Sequence, residues 1–525
     1  MARPWWEEAV FYQIYPRSFR DSNGDGTGDL AGLAEKLDYL AWLGVDALWI
    51  SPFFPSPMKD FGYDVADYRG VDPLFGSLED FGRLMDRAKG LGMRVVLDLV
   101  ANHSSDEHPW FVEARASRDS PRHGWYLWAP ETGRAPNNWR SLFEFGSAWQ
   151  RNPATGERYL ATFTKHQPEF DWRNPEVRKA FHEIMEYWYG LGVDGFRLDV
   201  ATAYAKDPEL RSNPLSLKAN PDIFQKHLHD RNHPDFHGFF REMRDVADRS
   251  PADSDRASRP GERVLIGETH GRDPGLAASC HGRKGEELHM AFNFDFLHQP
   301  WRAEDFRRSA ERWYSILPPT AWPNFTLSNH DQPRHIWRYR AASPSVTEGR
   351  ARVAAAMLLT LRGSPFIYYG EEIGMGCHPL PRSALRDPLG IRTWPLAFLG
   401  RDAERTPMQW DGSPGAGFGS VRPWLPLNPD WKERNVAAQR GLPGSLLSWY
   451  RALLALRREK PALRRGTIRF LDRGRDILAY ERSDEASGER ILVFLNFASG
   501  ERSTAIGFRA SLLLGSRLPA GTVVE

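Results

Sequence analysis

Residues 193–200 read VDGFRLDV, a short apolar run that carries an arginine and an aspartate near its end. A run of this length with apolar residues on both faces is typical of a strand buried in a parallel sheet. Because side chains two residues apart in a strand share one face, we expect Arg197 and Asp199 to point to the same side. The stretch therefore predicts a buried strand with charged side chains at its carboxyl end.

Seven further runs of this kind occur, and helical patterns separate most of them. The eight runs are AVFYQIY (9–15), ALWISP (47–52), MRVVLDLV (93–100), VDGFRLDV (193–200), RVLIGE (263–268), HMAFNFDF (289–296), NFTLSNHD (324–331) and SPFIYYG (364–370). After the first run, the leucine spacing of residues 30–44 predicts one helix that ends at Gly44. Eight strands alternating with helices favour an α/β fold, the parallel (β/α)8 TIM barrel, in which active sites lie at the carboxyl ends of the strands.

Two changes of composition divide the chain. Residues 103–172 are rich in Trp, Pro, Gly and Asn and lack a helical period, which indicates an inserted subdomain. From Arg465 onward, strand-like runs with turn signals replace the alternation. We therefore predict a barrel domain of residues 1–102 and 173–464, a loop-rich subdomain B at 103–172 after the third strand, and a C-terminal domain of antiparallel strands, a β-sandwich, at 465–525.

The composition argues against charged partners. Lys and Arg total 69 against 68 Asp and Glu among 525 residues, so neither nucleic acid nor an acidic membrane is a predicted partner. The 20 Trp residues are compatible with binding the apolar faces of sugars. Only two cysteines occur, and the N-terminus has no signal-type apolar stretch. We predict a cytoplasmic protein with a small neutral substrate, and we make no prediction of its oligomeric state.

Three carboxylates stand at or just beyond the ends of predicted strands, namely Asp199, Glu268 and Asp331. Hydrolysis of a glycosidic bond with retention requires a carboxylate nucleophile and a carboxylic acid about 5–5.5 Å apart. Asp199, held ionised by Arg197, is the candidate nucleophile, and Glu268 is the candidate acid. Asp331 is a candidate for orienting the sugar and stabilising an oxocarbenium-like transition state.

The order and spacing of DLVANH (98–103), GFRLDV (195–200), IGE (266–268) and SNHD (328–331) resemble the α-amylase family of glycoside hydrolases, family 13. Other stretches resemble its α-glucosidase and oligo-1,6-glucosidase branch, among them GYDVADY, ERTPMQWD and WLPLNPDW. The resemblance implies a retaining, exo-acting α-glucosidase acting on short gluco-oligosaccharides or α-glucosides. An α-glucosyltransferase would use the same intermediate and is the alternative. A non-catalytic transporter-subunit ectodomain is a remote one, since such chains have a membrane span and lose the catalytic carboxylates.

The resemblance also implies a role for each matching residue. Asp199 would be the nucleophile, Glu268 the general acid/base and Asp331 the transition-state stabiliser. The residues that would bind the sugar or brace the nucleophile are Tyr63, Asp64, His103, Arg197, His330 and Arg405, and Asp98 would be structural. Val200 occupies the position where valine accompanies α-1,6 preference in this branch and threonine accompanies α-1,4. The stretch QPEFDW (167–172) departs from the α-1,6-type pattern QPDLN, so the sequence leaves the linkage open.

The stretch DSNGDGTGDL (21–30) has the early ligand spacing of an EF-hand, but Gly32 stands where that loop requires its closing glutamate. It resembles instead a calcium loop that follows the first barrel strand in the α-glucosidase branch. The implied ligands are side-chain oxygens of Asp21, Asn23, Asp25 and Asp29 and the carbonyl of Thr27. We expect a structural Ca²⁺, with Mg²⁺ as the alternative, because oxygen ligands suit both ions.

Overall fold

The structure is a computed structural model of the chain. It describes residues 3–130, 133–216, 224–249, 261–269, 271–396, 399–419, 422–504, 510–515 and 523–524.

Eight parallel strands form a nearly closed barrel, which confirms the predicted fold. They are β1 (Phe11–Ile14), β2 (Ala47–Ile50), β3 (Arg94–Leu99), β4 (Gly195–Leu198), β5 (Val264–Gly267), β6 (Met290–Ala291), β7 (Asn324–Thr326) and β8 (Ser364–Tyr368). Their hydrogen-bonded order is β7-β8-β1-β2-β3-β4-β5-β6. Between the two end strands, the Asn324 side-chain amide donates to the Ala291 carbonyl at 3.0 Å.

The strands are buried on both faces because residues alternate between two apolar clusters. One cluster contains Phe11, Ala47, Trp49, Val96, Val264, Ile266, Met290 and Phe366, and it fills the barrel interior. The other contains the alternate residues, such as Tyr12, Leu48 and Leu97, and packs them against the helices. Continuing this alternation along β3, β4 and β5 places Asp98, Arg197 and Glu268 on the inner side, at the carboxyl ends of the strands.

Helices surround the barrel and connect its strands. The α-helices are Trp5–Glu8, Leu30–Glu35, Leu37–Leu43, Leu78–Gly90, Pro109–Ala116, Pro175–Gly190, Phe236–Asp248, Pro274–Ser279, Phe294–Leu297, Ala303–Ile316, His335–Arg338, Pro344–Thr360, Pro388–Arg392, Val436–Gln439, Leu446–Glu459 and Pro461–Arg465. Short 3₁₀ helices are Pro16–Ser18, His123–Trp125, Ala201–Ala203 and Arg382–Ala384. Within the described ranges, no helix is long and apolar enough to cross a bilayer.

The helix predicted over residues 30–44 is two helices in the structure. The first ends at Glu35 and the second begins at Leu37, because Lys36 leaves helical geometry with φ −98° and ψ 2°. The Lys36 ammonium lies 4.4 Å from the centre of the Trp410 ring, in a cation–π contact. The predicted end is confirmed, since Gly44 caps the second helix with φ 104°.

Smaller sheets occupy the two segments outside the barrel pattern. Residues 103–172 contain a three-stranded antiparallel sheet of Trp128–Ala129, Trp149–Arg151 and Arg158–Leu160, with the last strand central. At the C-terminus, β9 (Thr467–Leu471), β10 (Ile477–Asp484) and β11 (Glu489–Asn496) form an antiparallel sheet. Ala510–Ser511 pairs with Val523–Val524. The intervening parts of the predicted β-sandwich, 505–509 and 516–522, lie outside the described residues.

Gly195 allows β5 to approach β4 closely. A Cβ placed on Gly195 would lie 2.3 Å from the Val264 carbonyl oxygen. We expect Gly195→Ala to lower the free energy of unfolding by about 1–3 kcal/mol, as overpacking of a core does, measured by urea unfolding. Gly190→Ala is the control, because a Cβ there has no neighbour within 4 Å. Equal stability of the two variants would contradict the close approach.

Candidate active site

Arg197 joins three carboxylates at one end of the barrel. Its Nη1 atom lies 2.6 Å from Asp98 Oδ1 and 2.8 Å from Asp199 Oδ1, and its Nη2 atom lies 2.6 Å from Glu268 Oε2. Asp98 lies in β3, Asp199 directly follows β4 and Glu268 directly follows β5. All four side chains are buried. One guanidinium group therefore holds Asp199 and Glu268 side by side.

Three carboxyl groups share this single positive charge. Burial raises the pKa of Asp199 well above its ordinary value; the Arg197 charge opposes the rise, and the charges of Glu268 and Asp98 add to it. The expectation that Arg197 keeps Asp199 ionised is therefore incomplete, because two other carboxylates contact the same guanidinium. The cluster binds a proton more tightly than an isolated carboxylate would.

The residue after Asp199 has a strained backbone. Val200 has φ 38° and ψ 43°, a left-handed conformation that is an outlier for a β-branched residue. Its N–H donates to Glu268 Oε2 at 3.0 Å, and its side chain packs with Phe163 and Ala203. Such strain costs about 1–3 kcal/mol and persists only where the surrounding structure fixes it. The turn places the Val200 side chain beside the Asp199 and Glu268 pair.

His330 forms a second polar centre after β7. Its Nε2 atom lies 3.1 Å from Asp331 Oδ2 and 2.6 Å from the Tyr63 hydroxyl. The Tyr63 and His330 rings stack with 5.2 Å between their centres and 3° between their planes. The Tyr63 hydroxyl also donates to Asp98 Oδ2 at 3.1 Å. Tyr63 thereby connects Asp98, which Arg197 contacts, with His330, which contacts Asp331.

Two arginines from the long segment after β8 reach Asp331. Arg405 Nη2 lies 2.7 Å from Asp331 Oδ1, and Arg401 Nη1 lies 3.2 Å from the same oxygen. Burial alone would raise the pKa of Asp331, but His330, Arg401 and Arg405 hold this pKa well below its ordinary value. Arg405 also donates from Nε to the His330 carbonyl at 2.8 Å. Asp331 is therefore ionised at neutral pH, in contrast to the proton-binding cluster around Arg197.

Arg401 also binds two carboxylates that were not predicted from the sequence. Its Nη2 atom lies 2.7 Å from both Asp60 Oδ1 and Asp387 Oδ1. The Gln167 amide donates to Asp60 Oδ2 at 3.1 Å. Asp60 and Arg401 lie close in sequence to the motifs GYDVADY and ERTPMQWD, and that closeness is the only signal the sequence holds for them.

Asp64 faces its own loop, which argues against its predicted contact with sugar. Its Oδ1 atom accepts hydrogen bonds from the Ser56 hydroxyl at 2.8 Å and the Asp60 N–H at 3.0 Å. Its Oδ2 atom accepts the Lys59 N–H at 2.8 Å, and the side chain is fully buried. Burial raises the pKa of Asp64 to about 6. The loop occupies both carboxylate oxygens, and Asp60 is the acid that meets Arg401.

His103, in the loop after β3, is a neutral member of the site. Its Nε2 atom lies 3.0 Å from the Tyr63 carbonyl and 3.1 Å from the Gln167 amide nitrogen. Burial lowers the pKa of His103 to about 4, so the ring is uncharged at neutral pH. The Phe163 ring lies 4.9 Å from the His103 ring. Among the described hydrogen bonds, His103 is therefore connected to the Arg197 cluster through Tyr63, which contacts Asp98.

Glu169, where the sequence departs from the family pattern, forms a buried ion pair. Its Oε2 atom lies 2.5 Å from Lys206 Nζ, and both side chains are buried. Lys206 also donates to Asn102 Oδ1 at 3.2 Å and to the Ala203 carbonyl. Asn102 precedes His103, and Ala203 ends the short 3₁₀ helix that follows Val200. The pair therefore connects the inserted subdomain to the loops after β3 and β4.

The predicted calcium loop folds around its own aspartates. Asp21 accepts hydrogen bonds from the N–H groups of Gly24 and Gly26 at 2.6 and 3.0 Å. The Asn23 amide donates to Asp25 Oδ2 at 3.2 Å, so these two side chains converge. The loop offers Asp21, Asn23 and Asp25 oxygens together, which are the hard ligands that Ca²⁺ and Mg²⁺ require.

Asp29 joins this loop to the helix that follows it. Its carboxylate accepts hydrogen bonds from Ser22 and from the Gly32 N–H, and it caps the helix that begins at Leu30. Its Oδ2 atom accepts only one of these bonds and retains a second lone pair, as do both oxygens of Asp25, so the predicted role of Asp29 as a ligand stays a prediction. Over the part of the chain that the structure describes, no three His, Cys, Asp or Glu side chains form a metal-binding group.

Sequence comparison relates the chain to carbohydrate-active enzymes. Residues 13–466 match the family described as "Alpha amylase, catalytic domain". A probable alpha-glucosidase of Rhizobium meliloti strain 1021 is 42% identical over 513 residues, which cover 94% of this chain and 90% of that protein. The oligo-1,6-glucosidase of Parageobacillus thermoglucosidasius is 38% identical, with 95% of this chain and 91% of that protein covered.

Two solved structures are similar over nearly the whole chain. The alpha-glucosyl transfer enzyme XgtA has a TM-score of 0.89 and 40% identity, covering 97% of this chain and 95% of that one. The trehalulose synthase MutB of Pseudomonas mesoacidophila MX-45 has a TM-score of 0.88 and 36% identity, covering 99% and 97%.

The Lys206–Glu169 pair leads to a stability prediction. We expect Lys206→Met to lower the free energy of unfolding by about 3–5 kcal/mol, because it leaves a buried carboxylate without its partner. Adding Glu169→Gln in the same chain removes that charge and should recover much of the loss, measured by urea unfolding. Arg308→Met, which breaks an exposed pair with Glu304, is the control, with a cost of at most about 1 kcal/mol. A similar cost for Lys206→Met and Arg308→Met would refute the role of the pair.

Proposed function

The chain belongs to the α-amylase family of glycoside hydrolases, and we propose that it is a retaining, exo-acting α-glucosidase. Its substrates are short gluco-oligosaccharides and other α-glucosides, from which it releases glucose at the non-reducing end. The observation that carries the proposal is the contact of Asp199 and Glu268 with one guanidinium, that of Arg197. Two carboxyl groups held this close suit double displacement, in which they lie about 5–5.5 Å apart.

In the proposed mechanism, Asp199 attacks the anomeric carbon while Glu268 protonates the departing glycosidic oxygen. The bond between the sugar and the leaving group breaks, and a covalent glucosyl ester forms on Asp199. Glu268, now deprotonated, removes a proton from water, which attacks the same carbon. The bond between this carbon and the Asp199 oxygen breaks, which releases glucose and restores the Asp199 carboxylate and the protonated Glu268. Two inversions at the anomeric carbon give α-glucose.

The charge balance around Arg197 supports these roles. Asp98, Asp199 and Glu268 carry three carboxyl groups against one positive charge, so the cluster favours holding a proton. The proposed mechanism requires Glu268 to hold the proton and Asp199 to be ionised when substrate is bound. Val200 N–H contacts Glu268 Oε2 and holds this carboxyl group toward Asp199.

The ionised Asp331 suits stabilisation of a positively charged transition state. An oxocarbenium-like sugar carries developing positive charge, which a fixed carboxylate stabilises electrostatically. Arg405 and His330 hold Asp331 in place, and Tyr63 stacks on His330 at the floor of the site.

The ion pairs of Arg401 support the exo-acting mode. Arg401 links Asp331 to Asp60, so loops that follow β2, β7 and β8 meet at one side of the site. Charged groups at such a closed end suit hydrogen bonding to the hydroxyls of a terminal glucose. In this proposal Asp60 takes the role that the sequence suggested for Asp64.

For the linkage we propose a preference for α-1,6 over α-1,4. Val200 packs with Phe163, and its N–H contacts Glu268. In this proposal its apolar side chain borders the leaving sugar. The oligo-1,6-glucosidase relatives support the same preference. One apolar contact of this kind discriminates by about 1–3 kcal/mol.

We further propose that the loop of residues 21–30 binds Ca²⁺, or Mg²⁺, through Asp21, Asn23, Asp25, Asp29 and the Thr27 carbonyl. The bound ion would supply only structural rigidity, because the loop makes no contact with the Arg197 cluster among the described hydrogen bonds. A cytoplasmic location stays a proposal, supported by two buried free cysteines, Cys280 and Cys377.

A panel of substrates tests the function. We expect glucose release from isomaltose with a kcat/KM about tenfold above that for maltose, the smaller end of the discrimination expected from one apolar contact. Asp199→Asn should lower kcat at least about 10³-fold, since it removes the nucleophile. Asp38→Asn, in an exposed pair with Arg87, is the control and should keep full activity. Predominant formation of new glucosides instead of glucose would identify a glucosyltransferase.

The stereochemistry gives an independent prediction. Freshly released glucose should appear first as the α-anomer in a proton NMR time course, followed by slow mutarotation, because double displacement retains configuration. Initial β-anomer would exclude the proposed role of Asp199 as a nucleophile.

Metal removal gives a stability prediction. We expect excess chelator to lower the Tm of the wild type, and added Ca²⁺ to restore it, because ligand bound only to the native state stabilises it. Asp25→Asn weakens the site and should make the Tm insensitive to chelator. A wild-type Tm that chelator leaves unchanged, with no metal found by elemental analysis, would remove the ion from the proposal.

A further inference from the structure

A large cleft lies at the end of the barrel opposite the candidate active site. Its volume is about 750 Å³, and its wall includes Val10, Asp46 and Arg94, which lie at the amino ends of β1, β2 and β3. The other walls come from the N-terminal segment, the helices Leu446–Glu459 and Pro461–Arg465, and the C-terminal domain. The cleft is therefore built by three parts of the chain that are distant in sequence.

Arginine dominates the lining of this cleft. Six guanidinium groups line it, those of Arg3, Arg94, Arg457, Arg458, Arg464 and Arg465, against the carboxylates of Glu8, Asp46 and Asp484. Each of these acids pairs with one arginine, at 3.0, 3.0 and 3.2 Å for Glu8, Asp46 and Asp484 respectively. Arg3 and Arg94 form ion pairs with acidic residues outside the lining, namely Glu7, Asp194 and Glu262. One lining arginine, Arg457, is left without an acidic partner among the described residues.

Arg457 is fully buried, and its hydrogen bonds go only to backbone carbonyls. Its Nη1 atom donates to Leu359 and Leu463 at 3.1 and 3.0 Å, and its Nη2 atom donates to Gly363 at 2.7 Å. Its Nε–H has no hydrogen-bond partner within the described ranges. Burial, followed by the charge of Arg482, lowers the pKa of Arg457 to about 9. A buried guanidinium with only neutral partners would be stabilised by an anion.

A second donor in the lining is also unused. The Nε–H of Arg464 is buried without a hydrogen-bond partner, although its Nη1 atom pairs with Glu8 at 3.0 Å. Arg464 lies in the helix after Leu446–Glu459, which carries Arg457, so the two side chains approach the cleft from neighbouring helices. Both Nε–H groups are themselves buried, so an anion in the cleft would contact the exposed guanidinium atoms of the lining instead. The arginine side chains that are 31–58% exposed there are Arg3, Arg94, Arg458, Arg464 and Arg465, and such a cluster suits an anion with several acceptor oxygens.

We propose that this cleft binds a phosphate-bearing small molecule, at a site separate from the candidate active site. Guanidinium groups match the geometry of phosphate oxygens and bind them through paired hydrogen bonds. The volume is within the range of about 300–1,000 Å³ that small-molecule sites occupy. Trp5 also lies in the wall, and the centre of its ring is 5.6 Å from the guanidinium carbon of Arg94. In this proposal its indole contacts an uncharged part of the ligand.

Pyrophosphate is the probe for this site, since it has the oxygens of a diphosphate without the rest of the ligand. We expect it to raise the Tm of the wild-type chain, because the cleft joins the barrel to the C-terminal domain and a bound ligand stabilises the folded state. Sodium chloride at the same ionic strength should give no such rise. Calorimetric titration should show one site, with a Kd about tenfold weaker in Arg464→Gln.

Matched variants make the outcome decisive. Arg308→Gln removes an exposed arginine outside the cleft and should keep the wild-type Kd. Arg458→Gln, in the lining, repeats the test if Arg464→Gln is unstable. A Tm rise that chloride reproduces, or a Kd that neither lining variant changes, would overturn the proposal. Isomaltose hydrolysis by both lining variants without pyrophosphate should match the wild type, so the glucosidase proposal is tested separately.

Discussion

The site depends on a single buried guanidinium group. Arg197 stands opposite Asp98 in the pairing of β3 with β4 and opposite Ile266 in the pairing of β4 with β5. This strand register brings carboxylates from three neighbouring strands to one cation. Without that cation, three buried carboxyl groups at this spacing would be protonated or pushed apart. Backbone pairing in the barrel therefore fixes the positions of the three carboxylates. The positive charge of Arg197 offsets the repulsion between them.

Most of the fold and the centre of the site were predictable from the sequence, for one physical reason. The barrel strands are short apolar runs that end in polar residues, and the period of two in a strand determines which side chain faces inward. Asp199 and Glu268 could be assigned by this rule because no loop conformation intervenes. The break at Lys36 was not predictable, since the leucine spacing continues through it, and Lys36 contacts Trp410, which lies far away in sequence.

The outer parts of the site were not predictable, because tertiary contacts orient loop residues. Asp60 and Asp64 lie four positions apart in one loop, and nothing in their spacing shows which one faces Arg401. The structure turns Asp64 inward, where the Ser56 hydroxyl and two N–H groups bind it, and leaves Asp60 for the arginine. Family resemblance pointed to this loop and to Asp64, whereas the contacts with Arg401 are made by Asp60.

The buried pair of Lys206 and Glu169 has a consequence for the evolution of this enzyme. The two charges belong to different structural units, the barrel and its inserted subdomain. Replacing either residue alone would leave the other as a buried charge without an ion-pair partner. Recombination that imports a foreign insertion must bring a compatible acid or replace the lysine as well. The two units are therefore expected to be inherited together, and divergence in specificity should proceed by substitutions around this pair.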